Sequence, residues 1–281
     1  MLSPRPFLRW AGGKQWLARR ICELMPRDTA TYFEPFLGAG SVFFGALPAT
    51  AVLGDINDRL IETYTTLRDD PSGVIRWLKR WPNSSSTFYA IRKGKYRAPS
   101  RRAAQFIYLN KTCWNGLYRV NRRGQFNVPF GRNDSRPTHD ADNLYAVAKA
   151  LKRVRLIAGD YSKALHSAGD RDFIYLDPPY ISAHSDNGFR RYNERIFSWE
   201  DQLRLAHLAA ELAERGCYVA VSNTNHKDVV SSYTGFMPIQ LTRQSLIASS
   251  SKYRGSSIEV LLLSPTLSPY ASSIQQRGRA P

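Results

Sequence analysis

The sequence predicts an α/β fold: an open sheet of the doubly wound kind, interrupted by a mainly helical, basic insertion that carries a β-hairpin. Three observations predict it. Across residues 32–55 a strand, a Gly-x-Gly turn, a helix start and a second strand ending in an acid follow one another. After residue 139 short apolar runs return with helical patterns between them. Between these parts, residues 58–138 carry helical periodicity and a crowd of basic and aromatic side chains. The chain thus divides into one discontinuous α/β domain, residues 1–57 and 139–281 with a tail from 265, and a second domain at 58–138.

Of 281 residues, 43% are hydrophobic, enough for a sizeable core. The net charge is +17 and the isoelectric point about 10.0. That excess points to a polyanionic partner, nucleic acid first. No apolar run approaches the roughly 20 residues that a membrane span requires, and no basic amphipathic helix is evident. The amino terminus has no apolar signal core, so a cytoplasmic location is expected. Cys22, Cys113 and Cys217 are scattered and odd in number, and the five histidines stand apart. Neither a disulfide framework nor a metal site is expected.

At the amino terminus, Phe7-Leu8-Arg9-Trp10-Ala11-Gly12-Gly13-Lys14 turns into a helix with apolar positions Trp16, Leu17, Ile21, Leu24 and Met25. It is no phosphate-binding loop, because the first Gly and the Ser or Thr after Lys are missing. Taken alone, Trp10 suits a core and Lys14 a solvated surface. Tyr32-Phe33-Glu34 is a short strand, Pro35-Phe36-Leu37-Gly38-Ala39-Gly40-Ser41 turns from it into a helix, and Ala51-Val52-Leu53-Gly54 is a strand ending on Asp55. A dinucleotide fingerprint would need a third Gly where Phe43 stands. A ligand with adenosine but no pyrophosphate needs only close backbone approach at Gly38 and Gly40, and an acid at Asp55 for the ribose hydroxyls. S-adenosylmethionine fits that description better than a nicotinamide dinucleotide. An ordinary tight turn is the plainer alternative.

In the insertion, Leu60, Ile61, Tyr64 and Leu67, then Val74, Ile75 and Leu78, mark helices. Lys93, Lys95, Tyr96, Arg97, Arg101 and Arg102 crowd together. Residues 108–119 and 121–132 mix polar, aromatic and turn residues, and the second run reads as a hairpin with its tip at Arg123-Gly124. Arg, Asn and aromatics on a hairpin suit the reading of base edges in a DNA groove. A solvated basic loop is the alternative.

A helix through Leu144, Val147, Ala148 and Leu151, and a strand at 154–158 leading to Gly159-Asp160, restore the α/β pattern. Phe173-Ile174-Tyr175-Leu176 is a buried strand that opens on Asp177-Pro178-Pro179-Tyr180, at the carboxyl end where open α/β sheets keep their chemistry. The prolines supply no amide hydrogens and stiffen the turn. Asp177 and the Pro178 carbonyl can each accept one hydrogen of an adenine exocyclic amine while Tyr180 stacks on the base. Two such bonds draw the amine lone pair out of the ring and aim it at an electrophile, which is catalysis by positioning and electrostatics. The bland alternative is a proline turn with an incidental Asp. Residues 181–198, polar and holding Arg190, Arg191 and Arg195, are expected to form a mobile substrate-binding loop. Ser198 and Asp201 form a capping box for a helix through Leu203, Leu205, Leu208, Ala209 and Leu212, stopped by Gly216. Strands at 218–221 and 256–263 complete the pattern.

These runs together resemble the Dam-type DNA adenine methyltransferases, over nearly the whole chain and in the same order: cofactor part, recognition insertion, catalytic part. The resemblance implies a Rossmann-like mixed-sheet methyltransferase domain, with residues 58–138 as its target-recognition domain. It implies S-adenosylmethionine as cofactor, contacted by Trp10, Lys14, Phe36, Gly38, Gly40 and Asp55, with Asp160 near its adenine and Asp177 near its methionine part. It implies a catalytic corner of Asp177, Pro178, Pro179 and Tyr180, into which the target adenine is turned out of the duplex. Arg9, Lys111, Trp114, Asn115, Leu117, Arg119, Pro129 and Arg132 are the implied contacts to double-stranded DNA, and GATC is the implied site. Close relatives often carry Tyr in place of Trp114, which still stacks. They also often carry Tyr in place of Asn133, whose loss bears on flanking preference. The expectation is a monomeric, cytoplasmic adenine-specific DNA methyltransferase with no membrane association and no obligate protein partner. The alternatives are a cytosine N4 methyltransferase, which more often carries Ser in place of Asp177, a methyltransferase for structured RNA or a protein amide, and a DNA-binding relative without catalysis.

Overall fold

Apolar spacing accounts for the first elements of the computed structural model, which describes residues 2–121, 123–131, 137–180, 197–243 and 257–272. Helix α1 (Gln15–Leu24) buries Leu17, Ile21 and Leu24, spaced to lie on one side. Strand β1 (Tyr32–Glu34) is buried at every residue, and the hydroxyl of Tyr32 donates to the Glu34 carboxylate at 2.8 Å. Helix α2 (Ser41–Ala46) follows the Gly-x-Gly turn and ends at Leu47 in the left-handed region, φ 46°. Strand β2 (Ala51–Asp55) comes next.

Four helices then follow one another. Asn57 caps α3 (Asp58–Asp69), Asp70 caps α4 (Pro71–Lys79), Ser84 caps α5 (Ser85–Lys93), and a proline opens α6 (Pro99–Thr112). The three side-chain caps each satisfy an amide that the first turn leaves without a helical partner. Helix α7 (Ala141–Ala150), capped by Asp140, leads to β3 (Val154–Ala158) and the short α8 (Tyr161–Leu165). Strand β4 (Phe173–Leu176) is buried throughout. Helix α9 (Trp199–Glu214) opens with the full Ser198–Asp201 capping box. Strand β5 (Tyr218–Thr224), helix α10 (Lys227–Ser232), β6 (Met237–Arg243) and β7 (Ser257–Leu263) complete the order.

The described residues include seven strands, paired partly in parallel and partly antiparallel. The chain comprises two compact units, Met1–Cys22 with Leu37–Ala164, and Glu23–Phe36 with Leu165–Pro281. In the first, β2 and β3 pair in parallel, with Asp55 opposite Ala158. Helices α3, α4 and α5 pack on α6, burying Tyr64, Phe88, Ile107 and Tyr108. Part of the expected basic crowd serves this packing. The Arg101 guanidinium lies over the rings of Trp77 at 4.4 Å and Tyr96 at 3.9 Å, and Arg102 pairs with Glu62.

In the second unit the strand order is β1-β4-β5-β7-β6, parallel from β1 to β5 and antiparallel beyond. Its core includes Tyr175, Val219, Val221 and Leu261 to Leu263. Each fully buried side chain of this size stabilises the fold by about 1.5–3 kcal/mol. Strand β6 was not expected from the sequence. Pro238 interrupts its run, and a proline is tolerated because, among the described residues, β6 pairs with β7 alone. Residues 265–272, expected as the start of a tail, pack through buried Leu267 and Ala271. No helix among the described residues is long and apolar enough to cross a membrane. Of the loop expected at 181–198, residues 181–196 lie outside the described residues, as do Arg132 and Asn133.

Candidate active site and DNA interface

In the first unit the Gly-x-Gly turn is organised by Asp55, the last residue of β2. One carboxylate oxygen accepts the amide of Gly38 at 3.0 Å and the other the amide of Asn57 at 2.9 Å. Burial pushes the Asp55 carboxyl up to about 6, and these two amides pull it back. Gly38 has φ 47°, and a β-carbon there would come within 2.7 Å of Cδ1 of Trp10. The turn therefore has room for no side chain, and the Trp10 indole lies directly against it. From behind, the hydroxyl of buried Tyr64 donates to the Gly38 carbonyl at 3.1 Å. Asp160 caps α8 by accepting from the amide and hydroxyl of Ser162, and the neighbouring Gly159 amide donates to the Asp55 carbonyl. Lys14, expected to be solvated when taken alone, is buried, and its ammonium donates to the Gly12 carbonyl at 3.1 Å.

In the same unit, Trp10 stacks on Tyr118 with ring centroids 5.5 Å apart. Tyr118 stands at the root of the hairpin. Val120 bridges Phe126, and the Asn121 side chain accepts the amides of Arg123 and Gln125. Gly124, φ 70°, sits in the turn, where the sequence placed the tip. No regular ladder forms among the described residues here, only isolated bridges at Val120–Phe126 and Cys113–Phe130. Trp114 (52% exposed), Asn115, Leu117, Arg119 and Pro129 are all exposed. The Arg119 guanidinium donates to Asn127 Oδ1 at 2.9 Å. Arg9 is half-buried and packs against the backbone of Gly116. Burial, and then the charge of Arg9, pull the Lys111 ammonium below its ordinary range, while Asp140 opposes them.

In the second unit, β4 delivers Asp177 at its carboxyl end. Ser222 of β5 donates its hydroxyl hydrogen to Asp177 Oδ1 at 2.7 Å, and the Tyr175 hydroxyl lies 2.9 Å from the same Ser222 oxygen. Past Pro178 and Pro179, the hydroxyl of half-buried Tyr180 donates to Glu259 Oε2 at 2.7 Å. Burial, and then nearby carboxylates, push the Tyr175 and Tyr180 phenols well above their ordinary range, so both remain hydrogen-bond donors. Phe36 meets Phe197 edge-on at 5.9 Å. The corner therefore offers a carboxylate with its direction set, main-chain carbonyls on a stiff turn, and an anchored aromatic ring.

The model of the D12 class N6 adenine-specific DNA methyltransferases matches residues 10–246 of the chain, which contain both the turn and the corner. The chain belongs to that family. As a D12 class enzyme it is an adenine-specific DNA methyltransferase, acting on N6 of adenine in DNA and using a methyl donor. The Type II methyltransferase M1.LlaDCHI of Lactococcus lactis subsp. cremoris is 36% identical over 273 residues, covering 93% of this chain and 95% of that protein. The Type II methyltransferase M.MjaIII of Methanocaldococcus jannaschii is 33% identical over 286 residues, covering 93% and 99%. The DNA adenine methylase of Escherichia coli K12 is 35% identical over 229 residues, covering 79% and 82%.

Three residues of this D12 methyltransferase escaped the sequence reading of its sites. Ser222 and Glu259 touch the corner, and buried Asn110 exchanges hydrogen bonds with the backbone of Arg9 while also donating to the Gly116 carbonyl. Asn110 thus ties the amino-terminal segment to the hairpin root. A charged residue inside the apolar run of β7 was the available signal for Glu259.

Proposed function

We propose that the methyl donor is S-adenosylmethionine, and that the enzyme methylates the adenine of GATC in duplex DNA after turning the base out of the helix. The residues of the turn fit that donor. A carboxylate anchored by two main-chain amides suits a ribose diol, and α2, six residues long and without a basic side chain, has no cradle for a pyrophosphate. In this reading Trp10, Lys14, Phe36, Gly38, Gly40, Asp55 and Asp160 hold the donor. Bound there, it supplies an electrophilic methyl group on a sulfonium.

The observation that carries the reading is the Asp177 carboxylate, turned by Ser222 at the end of β4 and followed, after two prolines, by a tyrosine ring pinned through its hydroxyl. Asp177 and the Pro178 carbonyl accept the two hydrogens of the adenine amine, and Pro179 keeps the turn rigid. The amine nitrogen then loses conjugation with the ring and presents its lone pair. Tyr180 stacks on the displaced base. Asp177 acts as acceptor and aligner rather than strong base, and the proton leaves late, to solvent.

Residues 58–138 act as the target-recognition domain in this proposal. Arg9, Lys111, Trp114, Asn115, Leu117, Arg119, Pro129 and Arg132 contact the duplex, and the basic surface holds phosphates without regard to sequence. The enzyme works as a monomer in the cytoplasm, without an obligate protein partner. Tritiated-methyl transfer to a GATC duplex and to single-base variants of it tests the site and the chemistry together. Asp177→Ala is expected to abolish transfer while sparing duplex binding, and full activity in that variant would sink the assignment.

A further inference from the structure

We infer that Glu259 is a positioning residue that fixes the stacking ring of Tyr180. The inference rests on the reading of the corner given above. Glu259 lies on β7 opposite Thr224 of β5 and Leu241 of β6, and it is 6% exposed. The next four residues of the strand, Val260 to Leu263, are fully buried and apolar. A carboxylate at such a position is disfavoured against an apolar side chain unless it is well bonded. Its bond to the Tyr180 hydroxyl, at 2.7 Å, has the short length of a charge-assisted contact.

The geometry says what the bond does. Tyr180 follows two prolines, which carry no amide hydrogens and cannot extend the ladder beyond β4. The backbone here leaves the sheet, and the hydroxyl is the far end of the ring. Gripping that end sets the tilt of the aromatic plane, and Tyr180 as a whole is only half-buried. Stacking depends on that tilt, and methyl transfer depends on where the stacked base holds its amine.

The test compares single-turnover methyl transfer to a GATC duplex by the full chain and five variants. Glu259→Leu removes the acceptor and Tyr180→Phe removes only the hydroxyl. Each is expected to slow transfer by about 10–100-fold, the scale of a small misplacement of reacting groups, with donor and duplex affinity unchanged. The double variant should be no slower than the slower single one, because both remove one bond. Glu259→Gln, which keeps an acceptor, should recover most of the rate. A duplex with 2-aminopurine at the target position gives a second readout: a base held flat on Tyr180 is quenched, so Glu259→Leu should brighten it.

A wild-type rate in Tyr180→Phe overturns the inference, and does so even if Glu259→Leu fails to fold. Losses that multiply in the double variant also overturn it. Tyr180→Ala separates this inference from the reading beneath it. Full transfer in Tyr180→Ala removes the corner itself, whereas loss there with none in Tyr180→Phe removes only the role of Glu259.

Discussion

Ser222 and Asp177 meet through a 2.7 Å hydrogen bond from hydroxyl to carboxylate, with Tyr175 behind the serine. One oxygen of the carboxylate is thereby engaged by β5, which fixes the plane in which the other can act. Ser222→Ala releases that plane. Single-turnover methyl transfer is expected to fall by about 10–100-fold, with donor binding unchanged by calorimetry. Equal losses of rate and donor affinity would mean that Ser222 supports only the local fold.

Asp55 is expected to make donor binding pH-dependent. Its folded-state value of about 6 stands above the ordinary 3.8. The protonated carboxyl therefore favours the folded chain, and that contribution is lost as pH rises through about 6. Ligand hydroxyls bonded to the carboxylate favour the ionised form instead. S-adenosylmethionine affinity should thus weaken as pH falls below about 6, with proton release on binding near that pH. Calorimetry in buffers of different ionisation enthalpy measures both effects. Asp55→Asn should bind weakly and lose the pH dependence, and a flat affinity in the wild type would rule out contact between donor and carboxylate.

Gly38→Ala places a β-carbon in the left-handed region and against the Trp10 ring. The backbone cost alone is about 1–2 kcal/mol, and the ring must also move. A lower melting temperature is expected, together with weaker donor binding than in a Gly12→Ala control. Gly12 also has positive φ, but nothing lies near its β-position. Similar behaviour of the two variants would show that the Trp10 contact has no part in the effect.

Arg119 donates to Asn127 across the hairpin, which holds its guanidinium in one direction. Arg119→Ala is expected to cost about 1–3 kcal/mol at one base pair and to relax site choice there. Asn127→Ala should give a smaller loss in the same sense. Methylation of a library of near-cognate sites reads the outcome, and a uniform loss over all sequences would make Arg119 a phosphate contact.

Segments with a clean local signal could be read from the chain alone. The Ser198–Asp201 capping box, the apolar strand before Asp177 and the turn at Arg123-Gly124 all rest on neighbours a few residues apart. What escaped depends on partners far away in sequence: Ser222 reaches Asp177 across 45 positions, Glu259 reaches Tyr180 across 79, and Asn110 reaches Arg9 across 101. No period encodes such meetings. Helix α5 was missed because it buries only Phe88 and Ile91, too few to show a stripe. Strand β6 was hidden by Pro238, which argues against a central strand but not against an outer one.

One indole touches both proposed sites. Trp10 lies against Gly38 on one hand and stacks on Tyr118, the neighbour of Arg119, on the other. A donor seated on the glycine turn, as proposed, would press on a ring that underlies the proposed groove reader, and a load on that reader would return along the same contact. Linkage of this kind has no preferred direction. By whatever factor the small molecule strengthens the grip on the double helix, the double helix strengthens the grip on the small molecule.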